Sequence, residues 1–160
     1  MDKRALRREC FSRLRDLSAA KKADYSEVIV SHLEALPAFL EADRVFSYAA
    51  MSSEPDLNLL RKRFPEKSWA LSRVDEESDE ILFHEVSSDA VLQRSEYGFL
   101  EPNPTQCPEV TDPDLILVPG VGFAAKTMTR LGRGKGHYDR FLAPLQKRPS
   151  PPLKIGVAFY

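Results

Sequence analysis

Apolar residues recur at three- and four-residue steps through the first third of the chain. Further on, short apolar runs alternate with helical spacing, which predicts helices and strands in turn. Leu6, Cys10, Leu14 and Leu17 mark one stripe of an amphipathic helix over residues 2–17. Ser18 stands as the cap of a second helix, 19–36, with Tyr25, Val28 or Ile29, His32, Leu33 and Leu36 inward and Pro37 as its stop. RVFSYAA (44–50) reads as the first core strand and MSSEPD as a loop; Pro55 and Asp56 then open a short helix through Phe64. SWALS (68–72) is a strand, VDEESDE (74–80) an acidic loop, and ILFHEV (81–86) an alternating strand that turns His84 to solvent or to a neighbouring helix. Residues 110–114 form a turn into a buried strand, 115–118, closed by Pro119-Gly120. Tyr138, Phe141, Leu142 and Leu145 recur at helical spacing, and KIGVAFY (154–160) follows the Pro-rich PSPP as a last apolar strand. This alternation predicts an α/β fold, a three-layer α/β/α sandwich around a largely parallel sheet.

Composition narrows the class. With 160 residues and 42% apolar side chains, the chain suits one domain with one substantial core. Its 23 basic and 24 acidic residues leave a net charge of −1, so any anion site must be local rather than a global basic field. An RNA-binding use of GRGKG is disfavoured for the same reason, and no aromatic platform stands beside it in sequence. The two cysteines, Cys10 and Cys107, have neither disulfide-framework nor zinc spacing and fit a reducing cytoplasm. No signal-like or membrane-length apolar run is present. The acidic loop lacks the glycine and spacing of an EF-hand.

The candidate chemistry lies in RLGRGKGHYDR, residues 130–140. Gly132, Gly134 and Gly136 alternate with Arg133 and Lys135, and Arg130 lies just ahead. Such a loop lets backbone N–H groups approach an anion, and a helix starting after it adds its dipole. Asp139, in that helix's first turn, is placed to hold a metal ion bridging phosphates. The loop is neither GxxxxGK[ST] nor GxGxxG, so a flexible Gly/Lys surface loop is the competing explanation. Glu54, in the first strand-to-helix loop, is either an ordinary loop carboxylate or a ligand-binding group.

Taken together, DLILVPGVGF and TRLGRGKGHYDRFL resemble the signature of the 5-formyltetrahydrofolate cyclo-ligase family, also called methenyltetrahydrofolate synthetases. KRALR (3–7) is similar to the family's N-terminal K-x-x-L-R element, YAAMSSEPDLNLL to its strand-loop-helix segment, and YGFLEP to its F-G-I-x-E-P turn. The resemblance implies ATP-dependent closure of 5-formyltetrahydrofolate to 5,10-methenyltetrahydrofolate by a cytoplasmic monomer using Mg2+. It implies a fold like that of sugar-phosphate isomerases and CoA transferases. ATP would be held by Lys3, Arg4, Arg7 and residues 130–138 (Arg130, Leu131, Gly132, Arg133, Gly134, Lys135, Gly136, His137 and Tyr138). Folate would be held by Ala49, Met51, Glu54 and Arg133 to His137, with Tyr97, Phe99 and Pro102 as possible walls. Lys135 and Arg133 would be catalytic and Asp139 the magnesium ligand. Neither nucleic acid nor membrane is an implied partner.

Three departures from the family pattern bear on these expectations. The single domain 1–160 is expected to lack the family's usual C-terminal segment, which carries an Asp assisting magnesium. FAAKTMTR is one residue longer than the usual F-D-x-x-G-x-R and lacks its Asp and Gly. His137 replaces the first of two usual tyrosines, which would place a titratable ring beside phosphate and give a pH dependence near neutrality. A non-catalytic folate- or nucleotide-binding homologue is the alternative.

Overall fold

A computed structural model describes residues 2–160. Its centre is a five-stranded sheet built from β1 (Arg44–Ser47), β2 (Ser68–Val74), β3 (Ile81–Val86), β6 (Leu115–Pro119) and β9 (Leu153–Val157). The order is β3-β2-β1-β6-β9, with every pair parallel except β2–β3. Successive side chains point to opposite faces of a strand, so β1 and β6 each feed two cores. Val45, Leu115 and Leu117 pack with Val30, Leu33, Phe39 and Leu60 on one face. These last come from α2 (Ala19–Glu34), α3 (Pro37–Glu41) and α4 (Asn58–Arg63). Phe46, Ile116 and Val118 pack on the other face with Phe83 and with Tyr138, Phe141, Leu142 and Leu145 of α5 (His137–Gln146). The layered α/β/α arrangement predicted from alternation is therefore present.

Two short ribbons complete the fold: β4 (Gln93–Arg94) with β5 (Leu100–Glu101), and β7 (Gly122–Ala124) with β8 (Thr129–Leu131). Strands of two and three residues carry too little alternation to be legible in sequence, and neither ribbon was expected. The irregular FAAKTMTR segment is the β7–β8 hairpin, whose turn holds Met128 at φ 54°. α1 (Lys3–Asp16) buries only Leu14 fully, while Leu6 stays exposed and Cys10 sits beside Gly122 of β7.

Several expected details are corrected. α2 turns Ser26, Val30 and Leu33 inward and leaves Tyr25, Val28 and His32 exposed. The reason is a polar contact invisible to periodicity: Ser26 Oγ accepts the Asp56 N–H at 3.0 Å. Leu36 is exposed, and Pro37 opens α3 at its first position, where its missing N–H is not needed. β1 ends at Ser47 because Tyr48 leaves the sheet to donate its hydroxyl to the Pro55 carbonyl at 2.9 Å. β9 ends at Val157, short of the predicted Tyr160. His84 is buried, not solvent-facing. Its Nδ1 lies 2.8 Å from the Cys107 carbonyl, which can only accept, so Nε2 is free to accept from Arg73 Nε at 3.3 Å.

Asp114 sets the register at the foot of the two central strands. Its carboxylate accepts from the N–H groups of Asp43 (3.0 Å) and Arg44 (2.8 Å), while its own N–H donates to the Arg44 carbonyl at 2.9 Å. Asp114→Ala strips the acceptor from two strand-start donors and is expected to cost about 1–2 kcal/mol. Urea unfolding should show a lower midpoint with an unchanged slope; an unchanged midpoint would show that water replaces the carboxylate fully.

Candidate active site

β1 and β6 lie side by side and parallel, yet the chain leaves them toward opposite faces: α4 follows β1 on one face, and α5 follows β6 on the other. Such a switch opens a crevice at the carboxyl ends of the strands, where ligands of open α/β sheets bind. A cavity of about 540 Å³ occupies that position. Its walls come from the loop after β1, the region after β6, the β2–β3 strands, the segment around Tyr97 and α1.

The cationic loop forms one wall. Gly134 takes φ 103° and Gly136 φ 72°, conformations that side-chain-bearing residues rarely adopt, and Gly136 is the N-terminal cap residue of α5. The first helical hydrogen bond runs from the Arg140 N–H to the Gly136 carbonyl, leaving the three preceding N–H groups without intrahelical acceptors. Unpaired N–H groups at a helix start are the donors an anion site uses. The helix itself is seated by aromatic contacts: Phe46 stacks on Phe83 at 4.5 Å, and Phe141 lies 4.7 Å from Phe83. Such pairs add about 0.5–1.5 kcal/mol each beyond their burial, so the helix start is held on a rigid support.

Most predicted site residues converge here. Ala49, Met51, Glu54, Arg130, Gly132, Arg133, Lys135, Gly136, His137 and Tyr138 all line the cavity. Glu54 is nearly buried; its Oε2 accepts the Met51 N–H at 2.9 Å, and its Oε1 lies 3.8 Å from Arg133 Nε. Burial raises the Glu54 carboxyl above the usual range, against the opposing pull of the Met51 N–H, Arg133 and Arg130. Arg133 also hydrogen-bonds Ser53 and lies over the Phe11 ring. Lys135 Nζ lies 4.6 Å from the Tyr97 ring centroid, and both residues line the cavity. Arg130 donates to the Pro119 carbonyl at 3.0 Å and lies over Tyr138, whose hydroxyl is pushed up chiefly by burial.

Lys3, Arg4, Arg7, Leu131, Gly134 and Asp139 are not part of the cavity wall. Arg7 instead braces the loop from behind, its Nε donating to the Gly132 carbonyl at 2.8 Å. Lys3 and Arg4 are exposed, and Leu131 spends its carbonyl on the Val121 N–H at 2.8 Å. Phe99 lines the cavity, whereas Pro102 is buried in packing. Asp139 is 76% exposed and paired with Arg130 at 3.3 Å. Among the described residues no three His, Cys, Asp or Glu side chains gather as a metal cage. This donor set fits only a cation held mainly by phosphate oxygens and water, with Asp139 as a single protein anchor. Phe11, which no motif marks, also lines the cavity; it lies four residues beyond Arg7 and hence on the same helical face.

Sheet and crevice define an α/β domain that gathers a cationic glycine loop and a buried carboxylate at one switch point. The family model described as the 5-formyltetrahydrofolate cyclo-ligase family matches residues 1–160, and the chain belongs to that family. It is 28% identical to the mouse 5-formyltetrahydrofolate cyclo-ligase over 98% of this chain and 82% of the mouse protein. It is 30% identical to the Mycoplasma pneumoniae 5-formyltetrahydrofolate cyclo-ligase, over 99% of this chain and 86% of that one. The NMR structure of Aquifex aeolicus 5,10-methenyltetrahydrofolate synthetase superposes with a TM-score of 0.80 at 35% identity, covering 99% of this chain and 78% of that one. No described helix is long and apolar enough to cross a membrane.

The buried Glu54 has a measurable signature. A carboxyl whose folded pKa is raised contributes stability that is full below its unfolded value, ~4.3, and lost as pH rises through the folded value. Glu54→Gln carries no charge at any pH and keeps an acceptor for Met51. It is therefore expected to melt higher than wild type at mildly alkaline pH, the difference closing as the pH falls toward ~4. A wild-type advantage that grows with pH would show that Arg133 and the Met51 N–H outweigh burial.

Proposed function

We propose that this chain catalyses the ATP-dependent cyclisation of 5-formyltetrahydrofolate to 5,10-methenyltetrahydrofolate, releasing ADP and phosphate. The observation that carries the reading is the approach of Arg133 to Glu54 inside one cavity, 3.8 Å apart. The loop suited to phosphate and the carboxylate suited to a pterin thus face the same space. Glu54 can accept two hydrogen bonds from an amino-pyrimidinone edge, with Ala49 and Met51 beside it. Arg130, Arg133 and Lys135, with the free N–H groups at the start of α5, face the phosphate side.

The chemistry asks little covalent work of the protein. The formyl oxygen is a poor leaving group; transfer of the γ-phosphoryl to it makes an iminium phosphate and releases ADP. N10 then attacks the activated carbon and closes the ring, its proton is lost to water or to the departing phosphate, and the carbon–oxygen bond breaks to release phosphate. The residues' task is to align the formyl oxygen with the γ-phosphate and to offset charge on the transferring group. Magnesium, anchored by Asp139, would supply further neutralisation of the β- and γ-phosphates when bound. A non-catalytic folate- or nucleotide-binding homologue is the second reading, supported by the Arg130–Asp139 pair that engages the one candidate metal anchor.

The absorbance of methenyltetrahydrofolate should rise when the protein meets 5-formyltetrahydrofolate and Mg-ATP, and not without ATP; binding without this rise would favour the second reading. Lys135→Ala is expected to lower kcat about 100-fold with the fold intact. Near-normal kcat/KM in that variant would remove Lys135 from the transition state. Glu54→Gln should chiefly raise the KM for the folate, and a rise confined to ATP would reverse the assignment of the two ends of the cavity.

A further inference from the structure

The acidic turn between β2 and β3 reaches the site from outside every motif. Within the turn, the Asp79 N–H donates to the Asp75 carbonyl at 2.9 Å and the Asp75 N–H to the Glu80 carbonyl at 2.8 Å. The Asp75 carboxylate accepts from the Ser78 N–H and hydroxyl at 3.0 and 2.8 Å. None of these contacts uses the Asp79 side chain. Asp79 nevertheless stands at φ 55°, a left-handed conformation that glycine would adopt with less strain.

What its carboxylate touches is the start of α5. Asp79 Oδ1 lies 2.9 Å from His137 Nε2, and Oδ2 lies 3.6 Å from Arg140. Arg140 is also held without that carboxylate: it donates to the Asp79 carbonyl at 3.0 Å and to the Lys135 carbonyl at 2.9 Å. The imidazole is the contact that depends on the side chain. His137 is 14% exposed and lines the cavity. The hydrogen bond from His137, and then the nearby charges of Arg140 and Lys135, keep Asp79 below the usual carboxylate range, so it serves as an acceptor only. The hydrogen must then sit on Nε2, and Nδ1 is the nitrogen left for a ligand.

Resting on the cyclo-ligase reading, we propose that Asp79 is a positioning residue for the reaction: its carboxylate fixes the ring of His137 so that Nδ1 is presented to the substrates beside the phosphate loop. The arrangement matches a carboxylate that orients a histidine whose other nitrogen does the work. It also accounts for a non-glycine residue at a glycine-like φ, since only the side chain reaches His137.

Asp79→Gly tests this, because glycine suits the backbone, keeps the carbonyl for Arg140 and deletes the carboxylate alone. Its melting temperature should match or exceed that of wild type, while kcat/KM falls about tenfold. In a His137→Phe background the same substitution should change kcat/KM less than twofold, because the ring that Asp79 orients is gone. Asp79→Asn, which keeps an acceptor for Nε2–H, should recover most of the loss. A readout independent of turnover is the hydrogen-bonded Nε2–H proton of His137 in NMR spectra, expected in wild type and lost in Asp79→Gly. Wild-type turnover with an Asp79→Gly value within twofold of it, or an equal loss in the His137→Phe background, overturns the positioning role and leaves the cyclo-ligase reading standing. Absence of turnover in wild type overturns that reading; the Nε2–H signal then decides whether Asp79 orients the ring, its absence in wild type refuting that contact.

Discussion

The pairing of β1 with β6 is the constraint on which the rest of the molecule depends. The two strands are parallel neighbours, and the chain leaves them for opposite faces of the sheet. The loops beyond their carboxyl ends must diverge, and the space between them becomes the cavity. The same pairing brings Glu54 and Arg133, 79 residues apart in sequence (133 − 54), to 3.8 Å. Below the strands Asp114 holds the starts of both together through two backbone N–H groups. One end of this strand pair is thus tied by backbone hydrogen bonds, while the other is left open for ligands.

A glycine-rich loop is mobile unless something limits it, and here it is braced on several sides. Arg7 of α1 donates to the Gly132 carbonyl, Arg133 reaches Ser53 and Glu54, Lys135 lies over Tyr97, and Arg140 joins the Lys135 carbonyl to the β2–β3 turn. The contacts at Gly132 and Lys135 go to carbonyls and leave the N–H groups of the α5 start open. That division of the backbone suits an anion: acceptors are engaged by the protein while donors remain available. The stacked Phe46, Phe83 and Phe141 hold the helix behind the loop, so the cations and donors stand on a support that binding need not assemble.

Stability is sacrificed at two points, Glu54 in the cavity wall and Asp79 in the turn that meets His137. Glu54 is buried as a carboxylate that burial itself disfavours, and Asp79 holds a strained backbone. Local rules fail most informatively at such places, because packing alone would select another residue. An uncharged side chain at 54 or glycine at 79 would suit the fold better.

The sequence by itself determined the order of helices and strands, the layered α/β class and the loop that carries the charge. These depend on side-chain periodicity and on glycines alternating with cations, which are local properties of the chain. The family was legible for the same reason, since its signature is a continuous run from the β6 strand into α5. Only the tertiary structure decided which face of α2 is buried, where the short ribbons form, that Arg7 supports the loop from behind, and that Pro102 packs away from the cavity. It also decided that an acidic turn, which sequence offered only as a loop of no metal-binding order, meets His137 across 58 residues. Spacing along a chain fixes what lies on one face of one element. What that face touches is set by hydrogen bonds and packing between elements far apart in sequence, and in this protein those contacts make the site.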